Sequence, residues 1–317
     1  MMMHILCSTD ANYIMPTGVM IKSVCINHVD KNICFHVIID NGVDEYGKRC
    51  LTNIVKANER HSICFYSFDN SMLNQFPNIG VVKSDYITKA TYYRLFVTNI
   101  VPNHIEKIIY LDSDIIVSKS LMSLWDYDIT DFAIASVTDM SEDLQGYDRL
   151  GYDSSLGYFN AGVLVINLNY WRVHQITNVF GDIIISSPEK IKFHDQDILN
   201  IVFCKKKLYL PFNYNVQNGF LYKPEKMELN YQRYKCEIEN AIKSPVIIHY
   251  TASIKPWHVE CNNPLKNIWL EYLGMTQWKN IKIRRKYPYS FRTRIGNILR
   301  YMHVLPQLPQ DESPYIQ

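Results

Sequence analysis

The chain has 317 residues, a formal net charge of +2, and 47% hydrophobic against 20% charged residues. That length holds one large α/β domain with an appendage, and the ordinary balance excludes wholesale disorder. So mild a charge gives no footing for nucleic-acid binding, and no apolar run reaches the roughly 18 residues of a membrane span.

Elements follow in chain order. Residues 5–7 form a first β-rich run, entered at once from the N-terminus without a basic leader, and end in the polar turn Ser8-Thr9-Asp10-Ala11-Asn12. A helix is expected through Val19, Met20, Val24 and Ile26, a strand over 35–40, a helix over 45–57 and a strand over 63–66. Lys107-Ile108-Ile109-Tyr110-Leu111 predicts a buried strand that runs directly into Asp112-Ser113-Asp114, and residues 132–137 and 162–168 predict two more. Strands alternating with helical patterns predict a mainly parallel sheet covered by helices. Ligands of such sheets bind beyond the carboxyl ends of the strands, where Asp10, Asp40, Asp112, Asp114 and Asp139 lie. Beyond Trp278, cations such as Lys279, Lys282, Arg284, Arg285 and Lys286 alternate with aromatic and aliphatic residues. This divides the chain into a catalytic domain, 1–278, and a basic helical tail, 279–317. Eight cysteines without CxxC spacing read as reduced residues of a cytoplasmic protein rather than a disulfide or zinc framework.

Asp112-Ser113-Asp114 is flanked by apolar runs on both sides, so its two carboxylates at the edge of a core need a partner, and a hard divalent cation suits them. His249 ends a second apolar run and can offer a neutral imidazole. Lys255, six residues on and followed by Pro256, can direct an ammonium at a phosphate. Read alone, each has a plainer alternative: an exposed turn for Asp-x-Asp, a hydrogen-bonded core residue for His249.

Asp112-Ser113-Asp114, Phe159-Asn160-Ala161-Gly162-Val163, His194-Asp195-Gln196-Asp197-Ile198-Leu199-Asn200 and the run from His249 to Trp257 occur in the order seen in glycosyltransferase family 8. Over roughly Ile5 to Leu273 the chain resembles the bacterial lipopolysaccharide galactosyl- and glucosyltransferases of that family. The resemblance implies a GT-A fold and a retaining transferase that moves glucose or galactose from a UDP-sugar to a saccharide or lipid-linked acceptor. It implies Asp112, Asp114 and His249 as ligands of Mn²⁺, with Mg²⁺ as the alternative, and Lys255 on the phosphates. Thr9, Asp10, Asn12, Arg94 and Ser113 fall to the nucleotide side of the donor. Asp139, Asn160, Ala161, Gly162, Asp195 and Gln196 fall around the transferred sugar.

Retention can follow a front-face route, with Gln196 steadying the transition state, or a double displacement with Asp195 as nucleophile; the first is favoured. Ala252 stands where the family often has glycine near the phosphate. Residues 141–158 are expected to form an acceptor loop. The tail resembles those held to hold such transferases at an anionic membrane surface, at the cytoplasmic face. A degenerate domain that binds without turnover, and a self-glycosylating glycogenin-like primer, remain as alternatives.

Overall fold

The computed structural model describes residues 2–68, 89–286, 295, 299–302 and 313–316. Seven strands form the large sheet: β1 (Met2–Thr9), β2 (Asn32–Ile39), β3 (His61–Ser67), β4 (Lys107–Leu111), β6 (Ile134–Thr138), β7 (Phe159–Asn167) and β8 (Lys207–Tyr209), in the order β3-β2-β1-β4-β7-β6-β8. Strand β7 runs antiparallel to β4 and β6, while the other pairs are parallel. The expected α/β architecture with a mainly parallel sheet is what folds. A second sheet joins β5 (Ile115–Val117), β10 (Ile247–His249) and β9 (Val216–Gln217), with β10 between the other two.

The near-continuous apolar stretches of β1 and β2 follow from burial on both faces. Ile5, Cys7, Phe35 and Val37 meet helices α1 (Ile14–Ile26) and α2 (Glu45–Val55) through Met20, Val24, Leu51 and Ile54. Leu6 and Ile38 turn the other way, to Tyr93 and Phe96 and a layer that includes Trp171 and Phe203. That layer belongs to helices α3 (Leu168–Val173), α4 (Ile176–Ser186) and α5 (His194–Phe203). Helix α2 starts at Asp44, whose carboxylate accepts from Gly47 N at 2.8 Å, and stops at Val55, two residues before the expected end. Helices α6 (Tyr231–Lys243) and α7 (Lys266–Gly274) close the chain's later half.

Two chain segments fix the mouth of the sheet. Gly18 of α1 lies so close to Trp278 that a Cβ would overlap the indole ring, so Trp278 is keyed into the first helix. Residues 141–158 hold three single-turn helices, Glu142–Leu144, Tyr147–Leu150 and Ser154–Leu156. Of the basic tail, residues 279–286, 295, 299–302 and 313–316 are described: Arg285 pairs with Glu260 at 3.2 Å, Lys286 Nζ donates to Ser253 O at 3.1 Å, and the buried Tyr315 packs against Tyr222. Residues 287–294, 296–298 and 303–312 lie outside the described residues. No described helix is long and apolar enough to cross a membrane.

Candidate active site at the carboxyl ends of the strands

The carboxyl ends of β1, β4 and β6, the start of β7, the first turn of α5 and the loop after β10 surround one cleft of about 310 Å³, at the lower end of the range for small-molecule pockets. Strand β4 ends at Leu111, and the chain turns at Asp112-Ser113-Asp114 before β5 leaves for the second sheet. Pairing of β5 with β10 brings His249 opposite Ile115, which is how two segments 135 or more residues apart converge. His249 Nε2 lies 3.2 Å from Asp114 Oδ1 and 3.8 Å from Asp112 Oδ2, and one donor atom of each residue falls within 4.8 Å of the others. Two carboxylates and an imidazole are the donor set of a divalent cation that keeps open positions for further oxygens, so these residues fit the metal that the sequence implied.

Gly162 floors this group: a Cβ there would overlap the His249 ring and crowd Asp112 Oδ2. The imidazole is aimed from behind by Asn215, fully buried, whose Oδ1 lies 3.0 Å from His249 Nδ1. An amide oxygen there accepts from Nδ1–H and leaves the Nε2 lone pair facing the carboxylates. Asn215 Nδ2 in turn donates to Asn160 Oδ1 at 2.9 Å.

The two aspartates are held by different cationic partners. Burial alone would raise Asp114, but Lys255 Nζ at 2.6 Å, with His249 beside it, keeps the carboxyl well below its usual range. Asp112 Oδ1 accepts from Arg94 Nη2 at 2.7 Å and from Tyr110 OH at 2.8 Å. Arg94 is 4% exposed and also donates to Ala161 O and Thr91 O. Desolvation disfavours its charge, yet Asp112 and Asp195 more than offset that and raise it. Arg94 therefore pairs with two carboxylates of the cleft rather than one on the surface.

Across the cleft lies a second polar network. Asp139 Oδ1 accepts from Ser141 N and Oγ, and Oδ2 from Asn160 Nδ2 at 2.9 Å and Gln196 Nε2 at 3.1 Å. These four donors fill a carboxylate's roughly four acceptor positions, so Asp139 organises its neighbours. Gln196 Oε1 accepts from Ala161 N at 2.9 Å, an orientation set because Asp139 only accepts and the backbone N–H only donates. Asn160, whose Oδ1 already accepts from Gly162 N and Asn215 Nδ2, keeps one N–H for a further partner, and Gln196 keeps one N–H and one oxygen lone pair.

Asp195 is 2% exposed, with Oδ2 3.0 Å from Arg94 Nε. That N–H points at Thr91 O, so Oδ2 is in charge contact with the guanidinium while lacking a hydrogen-bond donor. Burial pushes this carboxyl up to about 7, with Arg94 opposing. His194, at φ 54°, makes the turn that brings Asp195 and Gln196 into the first turn of α5.

At the other end, Asp10 Oδ1 accepts from Asn12 N and Tyr13 N and so shapes the turn after β1 while lining the cleft. Thr9 and Ser113 meet through the Thr17 hydroxyl, at 2.9 and 2.8 Å. Asn12 is exposed and lines an adjoining cavity that shares Tyr13 and Lys255 with the cleft. Asp40, although at a strand end, only caps its own turn through Gly42 N. Ala252 has an ordinary backbone: among the described residues only Gln175 and His194 combine a side chain with positive φ. The position does not demand glycine for conformational reasons. Asn215 carried no signal in the sequence beyond being a polar residue in the run Phe212-Asn213-Tyr214-Asn215. Tyr110 was legible only as part of a buried strand.

The solved structure of galactosyltransferase LgtC in complex with donor and acceptor sugar analogs superposes with a TM-score of 0.75 at 28% identity, over 92% of this chain and 99% of that one. Fold and cleft together thus define a GT-A glycosyltransferase, which takes a nucleotide-sugar donor and a saccharide acceptor. The family model described as Glycosyl transferase family 8 matches residues 4–261, and the chain belongs to that family. Lipopolysaccharide 1,2-glucosyltransferase of Escherichia coli (strain K12) is 29% identical over 94% of this chain and 84% of its own length. General stress protein A of Bacillus subtilis (strain 168) is 28% identical over 88% and 96% respectively.

Proposed function

We propose that this glycosyltransferase moves a hexose, glucose or galactose, from its UDP-sugar to a saccharide or lipid-linked acceptor during synthesis of a cell-surface glycan, with retention at the anomeric carbon. The observation that carries the reading is the meeting of Asp112, Asp114 and His249 in a cleft with Lys255 on one side and the Asp139–Asn160–Gln196 network on the other. Relatives named as lipopolysaccharide 1,2-glucosyltransferase and lipopolysaccharide 1,3-galactosyltransferase support the substrate class. The cation is Mn²⁺, with Mg²⁺ as the substitute, held by Asp112, Asp114 and His249. When bound it neutralises the diphosphate and makes UDP a better leaving group.

The chain's own residues do the rest. Lys255, held in place by Asp114 and Tyr250 O, directs its ammonium to a phosphate oxygen. Thr9, Asp10 and Ser113 line the nucleotide side, with Asn12 in the adjoining cavity. Asn160 and Gln196, held by Asp139, offer their remaining amide positions to the sugar's hydroxyls. Asp195 lines the cleft beside them. Asp195 Oδ2 is buried and already in charge contact with Arg94, which leaves it poorly placed to attack and favours the front-face route. Gln196 then steadies positive charge on the sugar ring with the free lone pair of its amide oxygen.

The domain ends near Trp278, and residues 279–317 attach the enzyme to the anionic cytoplasmic face of a membrane. UDP release from a panel of UDP-sugars, with Mn²⁺ and with EDTA, tests the proposal. One UDP-hexose should be hydrolysed slowly in Mn²⁺, and the activity should vanish in Asp114→Ala. Release that is equal in EDTA would refute it.

A further inference from the structure

We propose a second metal site at the amino-terminal end of the large sheet, formed by His4, Cys34 and His36 and taking a thiophilic divalent cation of the Zn²⁺ class. His4 on β1 pairs directly with Cys34 on β2, and His36 two residues later shares Cys34's face. Three donors from two neighbouring strands therefore point to one side of the sheet. His4 Nδ1 lies 3.0 Å from His36 Nε2, and the Cys34 thiol falls within 4.8 Å of both. In a tetrahedral zinc site nitrogens at about 2.0–2.1 Å from the ion stand about 3.3 Å apart, so the two imidazoles need part by only a few tenths of an ångström, with the Cys34 thiol closing in from its own strand.

The surroundings complete the arrangement. Tyr66 OH lies 2.9 Å from His36 Nδ1, and its ring stacks on the imidazole at 5.7 Å. With Nδ1–H given to the phenol, the Nε2 lone pair faces His4 and Cys34, the usual way an outer partner fixes a ligating histidine. Cys34 and His36 are 8% and 2% exposed, while His4 is half-buried and opens the entry side. On binding, the Cys34 thiol gives up one proton and its thiolate bonds to the cation. The Cys64 thiol, in hydrogen-bonding reach of Cys34 from β3, or a water takes the fourth position.

A thiolate and two imidazoles select zinc-like ions, whereas the Asp112 group suits harder ones. The two sites are also apart, since His4 precedes Thr9 by five residues of extended strand, roughly 16 Å. Nothing in the spacing of the sequence signals this group, because its donors meet only through strand pairing. A cation there ties β1 to β2 and stabilises the fold by mass action.

Cobalt(II) titration of the untagged full chain, as wild type and as Asp114→Ala, tests this. Both proteins should bind one equivalent that produces a near-ultraviolet thiolate-to-cobalt band, and Zn²⁺ should displace it. A band of that kind cannot arise at the Asp112 group, which has no sulfur. Cys34→Ser and His4→Ala should each abolish it. His4→Ala changes a half-buried position, so it keeps the test decisive should Cys34→Ser fail to fold. No band in the wild type, or a band that survives His4→Ala, overturns the proposal.

Discussion

Asn215 touches no substrate-facing surface of the cleft, yet it holds His249 Nδ1 and Asn160 at once. Removing such an outer partner typically costs 10–100-fold in metal affinity. Asn215→Ala should therefore weaken Mn²⁺ binding by about that factor, measured by isothermal titration in the presence of UDP, while Asn215→Asp retains more of it. Gly162→Ala should do worse, since its Cβ must displace the His249 ring or the Asp112 carboxylate. A loss of at least about 100-fold in Mn²⁺-dependent turnover is expected, with a circular-dichroism spectrum like that of the wild type. Asp195 carries a pH signature. Its carboxyl is raised from 3.8 to about 7, so between those values the native state holds a proton that the unfolded chain has released. Stability from this group is full below pH 3.8, falls as pH rises, and levels off above about 7. Relative to wild type, Asp195→Asn should be more favourable at about pH 8 than at about pH 5 by on the order of a few kcal/mol, measured by urea unfolding in EDTA. The metal-binding group was legible because apolar strands run straight into Asp112 and into His249. The partners of those residues were not, because Asn215, Tyr110 and Arg94 meet them only after the sheets form.

Helix α5 shows how one element positions two sugar-facing residues by burying a third. Asp197, fully buried, accepts from Lys192 N, Phe193 N, Tyr158 OH and both terminal nitrogens of Arg149. Its charge also sits in the first turn, where the helix dipole favours it. Through these bonds α5 is tied to the chain before it and to the segment 141–158. Asp197→Ala leaves a partly buried guanidinium and two backbone donors without their acceptor, so stability should fall by about 2–4 kcal/mol in thermal or urea unfolding. The strands and helices of residues 2–67 were largely readable from the sequence, since the periodicities are clear and burial on both faces demands apolar runs. Strand β7 was not readable as antiparallel: its apolar run is as continuous as those of its parallel neighbours, and only the pairing with β4 and β6 reveals its direction. Residues 141–158 carry turn-forming Gly, Asp and Ser, which marks a loop but not the three single helical turns that Glu142 and Arg149 hold in place.

The chain as a whole divides the labour between its two sheets. The large sheet presents Asp10, Asp112 and Asp139 at its carboxyl ends, and the small one returns His249 and, through the following loop, Lys255 to the same cleft. A site assembled from both sheets is complete only when both are folded. Its most direct test is UDP binding with and without Mn²⁺, followed by titration calorimetry on wild type and on His249→Ala. The account predicts binding that requires Mn²⁺ in the wild type and is lost in His249→Ala, with the melting temperature of the metal-free proteins little changed. UDP binding of equal affinity in EDTA, or unchanged Mn²⁺-dependent binding in His249→Ala, would contradict it.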